Sequence, residues 1–63
     1  MKATVTAKIK NSPVMPVKVF TAKNDFEFDE KENVFGRMLA VRKYFRKTFG
    51  QEIDIEIINV VWH

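Results

Sequence analysis

Between Lys2 and Lys10 the chain alternates without a break, with Ala3, Val5, Ala7 and Ile9 apolar and Lys2, Thr4, Thr6, Lys8 and Lys10 polar. Successive side chains of a strand point to opposite faces, so this period predicts a strand with one buried and one wet face. Asn11 to Pro16 holds two prolines, which cannot donate to a ladder, and predicts a loop or an irregular strand entry. A second strand is expected over Val17 to Ala22. Its faces are less distinct, because Val17 and Val19 point one way while Phe20 and Ala22 point the other.

The period then lengthens. Val34, Met38, Val41, Phe45 and Phe49 recur at spacings of three and four, which marks one stripe of a helix and predicts its core face. Asp29 followed three residues later by Glu32 has the form of a capping box and places the helix start near Glu30. Gly50 supplies the stop. Gly36 costs about 1 kcal/mol relative to alanine inside a helix, so it marks either close packing or a later start. Phe26 and Phe28 either pair as a short fourth strand across an Asn24-Asp25 turn or tuck under the helix start, and the pattern favours the second.

Alternation returns after Gly50. Ile53, Ile55 and Ile57 face inward, and Glu52, Asp54 and Glu56 face outward. Continued in phase, the strand then puts Ile58, Val60 and Trp62 on the face that had been acidic.

The order β-β-α-β predicts an α+β fold: a three-stranded antiparallel sheet in the order 2-1-3, with one helix packed on one face. A single register satisfies both faces. It sets Lys10, Lys8 and Thr6 opposite Glu52, Asp54 and Glu56, and Ile9, Ala7 and Val5 opposite Ile53, Ile55 and Ile57. It also sets Thr4 opposite Ile58 and Lys2 opposite Val60, and leaves Trp62 beyond the end of the first strand.

Composition narrows the function classes. The chain has 63 residues and no internal repeat, which predicts one domain over residues 1–63, of a size that buries only about 60% of its unfolded surface. With no cysteine and one histidine there is neither a disulfide framework nor a structural zinc set, and no cofactor is expected. "MKATVTAKIK" reads as a strand rather than a signal peptide. The longest apolar run, Ile57 to Trp62, is far short of the ~20 residues that span a bilayer. A soluble cytoplasmic protein without membrane contact is the expectation.

The net charge of +3 hides an alternation by segment. Residues 1–24 carry five lysines and no acid, and residues 25–32 carry five acids and one lysine. Residues 33–51 carry five bases, and residues 52–63 carry three acids.

Two surfaces are candidates for binding. On the helix, Arg42, Lys43, Arg46 and Lys47 fall away from the core stripe, and Arg42/Arg46 and Lys43/Lys47 are like charges at i, i+4. Such bases also suit the helix macrodipole and any wet face. They serve nucleic acid less well than protein, because no helix-turn-helix, ribonucleoprotein motif or zinc finger accompanies them, and the acids of the last strand would repel phosphate. Phe35 and Leu39 lie about a quarter turn off the core stripe. Either the core is wide there, the reading the pattern favours, or they form an apolar ridge beside Arg42 and Arg46 of the kind that anchors protein partners. The second surface is the apolar set Ile58, Val60 and Trp62, with Phe20 joining from strand two, on a sheet face the helix does not cover. Catalysis is not expected, because no nucleophile neighbours a base and there is no phosphate loop or metal-ligand spacing.

In element order, "ATVTAKI", "PVKVFTA", the acid-capped helix and "IDIEIINVVW" together resemble the small β-β-α-β proteins with which bacteriophages bind and disable a host enzyme. Examples are the inhibitor of bacterial RNA polymerase and the antitoxins that block a host ribonuclease. The resemblance implies a non-catalytic inhibitor or modulator of a larger protein. The polymerase inhibitor carries bases on its last strand where this chain has Glu52, Asp54 and Glu56, and no functional residue is carried over. The expected partner is thus a larger protein or a second copy of the chain, with nucleic acid as the alternative.

Overall fold

A computed structural model describes residues 1–63. Three nine-residue strands and one helix follow in the order β1 (Lys2–Lys10), β2 (Val19–Glu27), α1 (Val34–Phe49) and β3 (Asp54–Trp62). The sheet is antiparallel throughout, with order β2-β1-β3. This is the predicted α+β arrangement, with β1 central.

β1 is central because its apolar face is shared by everything else. Ala3, Val5, Ala7 and Ile9 are fully buried and form the core with Phe28, Val41, Phe45 and Ile53. Ala3 is small where its neighbours are large: it pairs with Phe26 on one side and Trp62 on the other. The small side chain thus leaves room for both rings, as close packing requires. An aromatic row runs through the layer. Phe20 meets Phe49 edge-on at 5.1 Å, Phe45 contacts Phe49, Phe26 and Tyr44, and Phe26 stacks on Phe28 at 6.0 Å.

β2 begins two residues later than predicted and runs five further, straight through Asn24 and Asp25 without a turn. β1 offers a partner along its whole length, down to Lys2 opposite Glu27, and an available ladder outweighs the turn preference of an Asn-Asp pair. There is no fourth strand. Phe26 ends β2, and Phe28 is buried just beyond it.

The helix starts at Val34 rather than near Glu30, with Asn33 as its N-cap, whose Oδ1 accepts from the Gly36 N–H at 2.7 Å. Asp29 caps a separate turn, accepting from the Lys31 N–H through Oδ1 and from the Glu32 N–H through its carbonyl. Gly36 therefore lies in the first turn, where a Cβ would stand 3.3 Å from the capping Asn33 Oδ1. Of the predicted stripe, Val41 and Phe45 are buried and Met38 and Phe49 pack on the core, but Val34, the first helical residue, is exposed. At the far end the Ser12 hydroxyl donates to the Phe49 carbonyl at 2.6 Å, and Gly50 turns the chain with φ +130°. A Cβ on Gly50 would come within 2.7 Å of Pro13 Cδ.

The β1/β3 register corrects the expected one in two ways. It is displaced by two residues, so Ile9 pairs with Ile55 and Lys10 with Asp54. A shift of two preserves the faces, and it frees Ile53 to enter the core ahead of the strand, 97% buried beside Gly50. The second correction is a β-bulge. Ala7 pairs with Ile57 but Thr6 with Asn59, which leaves Ile58 as the extra residue and inverts every face after it. Val60 then lies opposite Val5, and Trp62 opposite Ala3, both on the helix-covered side. Asn59 and Val61 point outward.

Candidate functional site

The bulge dissolves one of the two expected surfaces. Ile58, Val60 and Trp62 do not share the uncovered sheet face. Ile58 is half exposed at the bulge, Val60 packs on the core, and Trp62 lies at its rim with its ring 5.9 Å from Phe28 and 5.5 Å from the Arg37 guanidinium. Phe20 also faces the helix, not the outer surface. What remains on the outer sheet face is a mosaic of lysines, threonines and acids with Val19 and Val61.

The helix surface persists and is more apolar than the sequence pattern favours. Phe35 is 73% exposed and Leu39 51%, so the core is not wide there, and the two form a ridge. One and two turns further on, Lys43, Arg46 and Lys47, with Gln51 from beyond the helix end, join Leu39 around an open concavity of about 410 Å³. The i, i+4 geometry of one helix face assembles the four helical residues of this set. Gln51 follows the Gly50 stop, so helical spacing does not place it.

Arg42 is set apart from this group. Its Nη1 donates to the Ile55 carbonyl at 3.2 Å, across the free edge of β3. On the opposite flank of the helix, the Tyr44 hydroxyl donates to Asn24 Oδ1 on β2 at 3.3 Å. Tyr44 and Arg42 thus tie the helix down toward either edge of the sheet, leaving Leu39, Lys43, Arg46 and Lys47 outward. Arg37, the first of the five bases in residues 33–51, is engaged elsewhere. Besides covering Trp62, it donates through Nη2 to the Glu30 carbonyl at 3.3 Å, with its Nε buried and unpartnered.

No lysine or arginine side chain forms an ion pair. The one ion pair joins the Met1 amino group to Glu27 Oε1 at 3.3 Å. Lys8 and Lys10 stand opposite Glu56 and Asp54 across the ladder, whereas no helix base has a carboxylate within ion-pair distance.

On the outer sheet face the Thr4 hydroxyl donates to Asp25 Oδ1 and lies 2.7 Å from His63 Nε2. The order is wrong for an activated hydroxyl. In a nucleophilic triad the carboxylate orients the imidazole, whereas here it binds the hydroxyl itself. No group of three or more His, Cys, Asp or Glu side chains could hold a metal ion, and no helix is long and apolar enough to cross a membrane. Compared with known proteins, the chain matches no family model, no curated protein and no solved structure.

Proposed function

We propose that this chain is a non-catalytic binding module that docks the outer face of α1 onto an acidic surface of a larger cytoplasmic protein and thereby inhibits or modulates it. One observation carries the reading: Lys43, Arg46 and Lys47 surround an open concavity beside exposed Leu39 and Phe35, with no acid of the chain neutralising them. Like charges at i, i+4 repel by some tenths of a kcal/mol each, and a partner's carboxylates would relieve that. Exposed apolar groups next to arginine are the composition of an interface anchor, and complementary charge would speed the encounter. The resemblance to phage inhibitors supports the same mode, in which a small rigid module covers a surface and performs no chemistry.

A second reading, nucleic acid, is favoured by the same unneutralised cluster. The acids of β3 lie on the far side of the sheet, so they do not screen it. Phe35 and Leu39 weigh against this reading, because a phosphate backbone offers them nothing. The test is capture from the source cell's lysate with wild type and with the triple variant Lys43→Glu, Arg46→Glu, Lys47→Glu. A nuclease-resistant protein partner held by wild type, released by salt and lost by the variant supports docking. Binding to DNA or RNA tighter than micromolar near physiological salt, with a steep salt slope, would replace it with the second reading.

A further inference from the structure

We infer that the free edge of β2 pairs with the β2 edge of a second copy of this chain, antiparallel and centred on Asn24, to make one continuous six-stranded sheet. The inference starts from the two edges of the sheet, which are unequal. β3 is blunted twice, by the bulge at Ile58 and by Arg42 Nη1 on the Ile55 carbonyl. β2 has no bulge and no side chain laid across its edge from the helix; only the strand's own Asn24 Nδ2 reaches an edge carbonyl, that of Asp25. The strand is nine residues in an unbroken ladder with β1, without proline or bulge. An edge of that length without proline or bulge is a template for another strand.

The hydrogen-bond phase shows which groups are on offer. The Phe28 N–H donates to Met1 and the Asn11 N–H to the Lys18 carbonyl, so even-numbered residues of this strand direct their backbone groups toward β1. In an antiparallel ladder the alternate residues point away. Thr21, Lys23, Asp25 and Glu27 therefore present their N–H and C=O groups to solvent along the free edge. The Asp25 carbonyl accepts from Asn24 Nδ2 at 2.9 Å, and its second lone pair remains.

The side chains then select the occupant and the register. With Asn24 opposite the second copy's Asn24, Lys23 lies opposite the second copy's Asp25, and Asp25 opposite its Lys23. Thr21 meets Glu27 in the same way. These are the pairs whose backbone groups point outward, so the hydrogen bonds and charges agree on one register. Sliding by two residues either way sets Lys23 against Lys23, or Asp25 against Asp25. On the helix-covered face the same register puts Ala22 against the second copy's Phe26, a small group against a half-buried ring. The symmetry is that of an isologous dimer, and it places both helices on one face of the joint sheet.

The experiment is sedimentation equilibrium on the full chain and two variants, with circular dichroism to confirm folding. Wild type is expected to dimerise with rising concentration. Lys23→Asp, which sets acid against acid twice, should weaken the dimer about tenfold. Adding Asp25→Lys restores opposite charges, and should return association to near the wild-type level. Backbone amide exchange needs no variant: in wild type, the Lys23 and Asp25 amides should become protected as the dimer forms. The inference is overturned by a wild type that stays monomeric near 1 mM, by unchanged association of folded Lys23→Asp, by a folded double variant no better than the single, or by edge amides left unprotected in the dimer.

Discussion

Replacing Val60 with lysine tests the face inversion at Ile58 directly, because the adjacent Val61 offers a matched control. Val60 pairs with fully buried Val5 under the helix, whereas Val61 pairs with Thr4 on the outer face. Losing a well-buried valine costs about 1.5–3 kcal/mol of apolar burial. Val60 is only partly buried and a lysine on an edge strand can carry its ammonium out to water, so about 2 kcal/mol is expected. Against roughly 0.05–0.15 kcal/mol per residue, or about 3–9 kcal/mol for a chain of 63 residues, that is a large share. At about 4–8 °C per kcal/mol the melting temperature should fall by about 10 °C. Val61→Lys should stay within about 0.5 kcal/mol of wild type, as outer-face substitutions do. Urea melts followed by circular dichroism give both values. If Val61→Lys is the more damaging of the two, the bulge does not invert the strand and the apolar set Ile58, Val60 and Trp62 returns to the outer face.

Four further substitutions probe the helix and its packing. Phe45→Ala removes a ring that is 99% buried and touches Phe26, Tyr44 and Phe49; a loss of about 3–5 kcal/mol should leave little or no cooperative urea transition, and a melt like that of wild type would refute its central place. Asn33→Ala should cost about 1 kcal/mol through the lost cap, and Asp29→Ala clearly less; the reverse ranking by chemical denaturation would put the helix start back near Glu30. Gly50→Ala forces a side chain onto φ +130° and within 2.7 Å of Pro13 Cδ, so it should cost at least about 1–3 kcal/mol, and a thermal melt unchanged from wild type would show that the turn relaxes freely.

The bases of the helix were legible as a surface, because helical geometry alone sends Lys43, Arg46 and Lys47 away from Val41 and Phe45. That Phe35 and Leu39 stand exposed beside them was not. Their spacing allows either a wide core or a ridge, and the choice rests on where the helix sits over the sheet. Tyr44 and Arg42 fix that position through contacts with Asn24 and Ile55, which are distant in sequence.

What the sequence determined by itself was whatever repeats with a local period: the faces of β1, the helical stripe, the first half of β3, and through them the order β2-β1-β3. Each element needs a partner for its apolar face, and for β-β-α-β few arrangements provide one. Where those periods break is set by long-range packing. A bulge adds one residue without requiring a glycine or proline to announce it, so Ile57-Ile58 reads as a run of isoleucines until Asn59 is seen opposite Thr6. The extent of β2 depended on the length of its neighbour, not on Asn24 and Asp25. The helix cap passed from Asp29 to Asn33 because Phe28 had first to be buried, and burial is settled by the whole core rather than by the residues at hand.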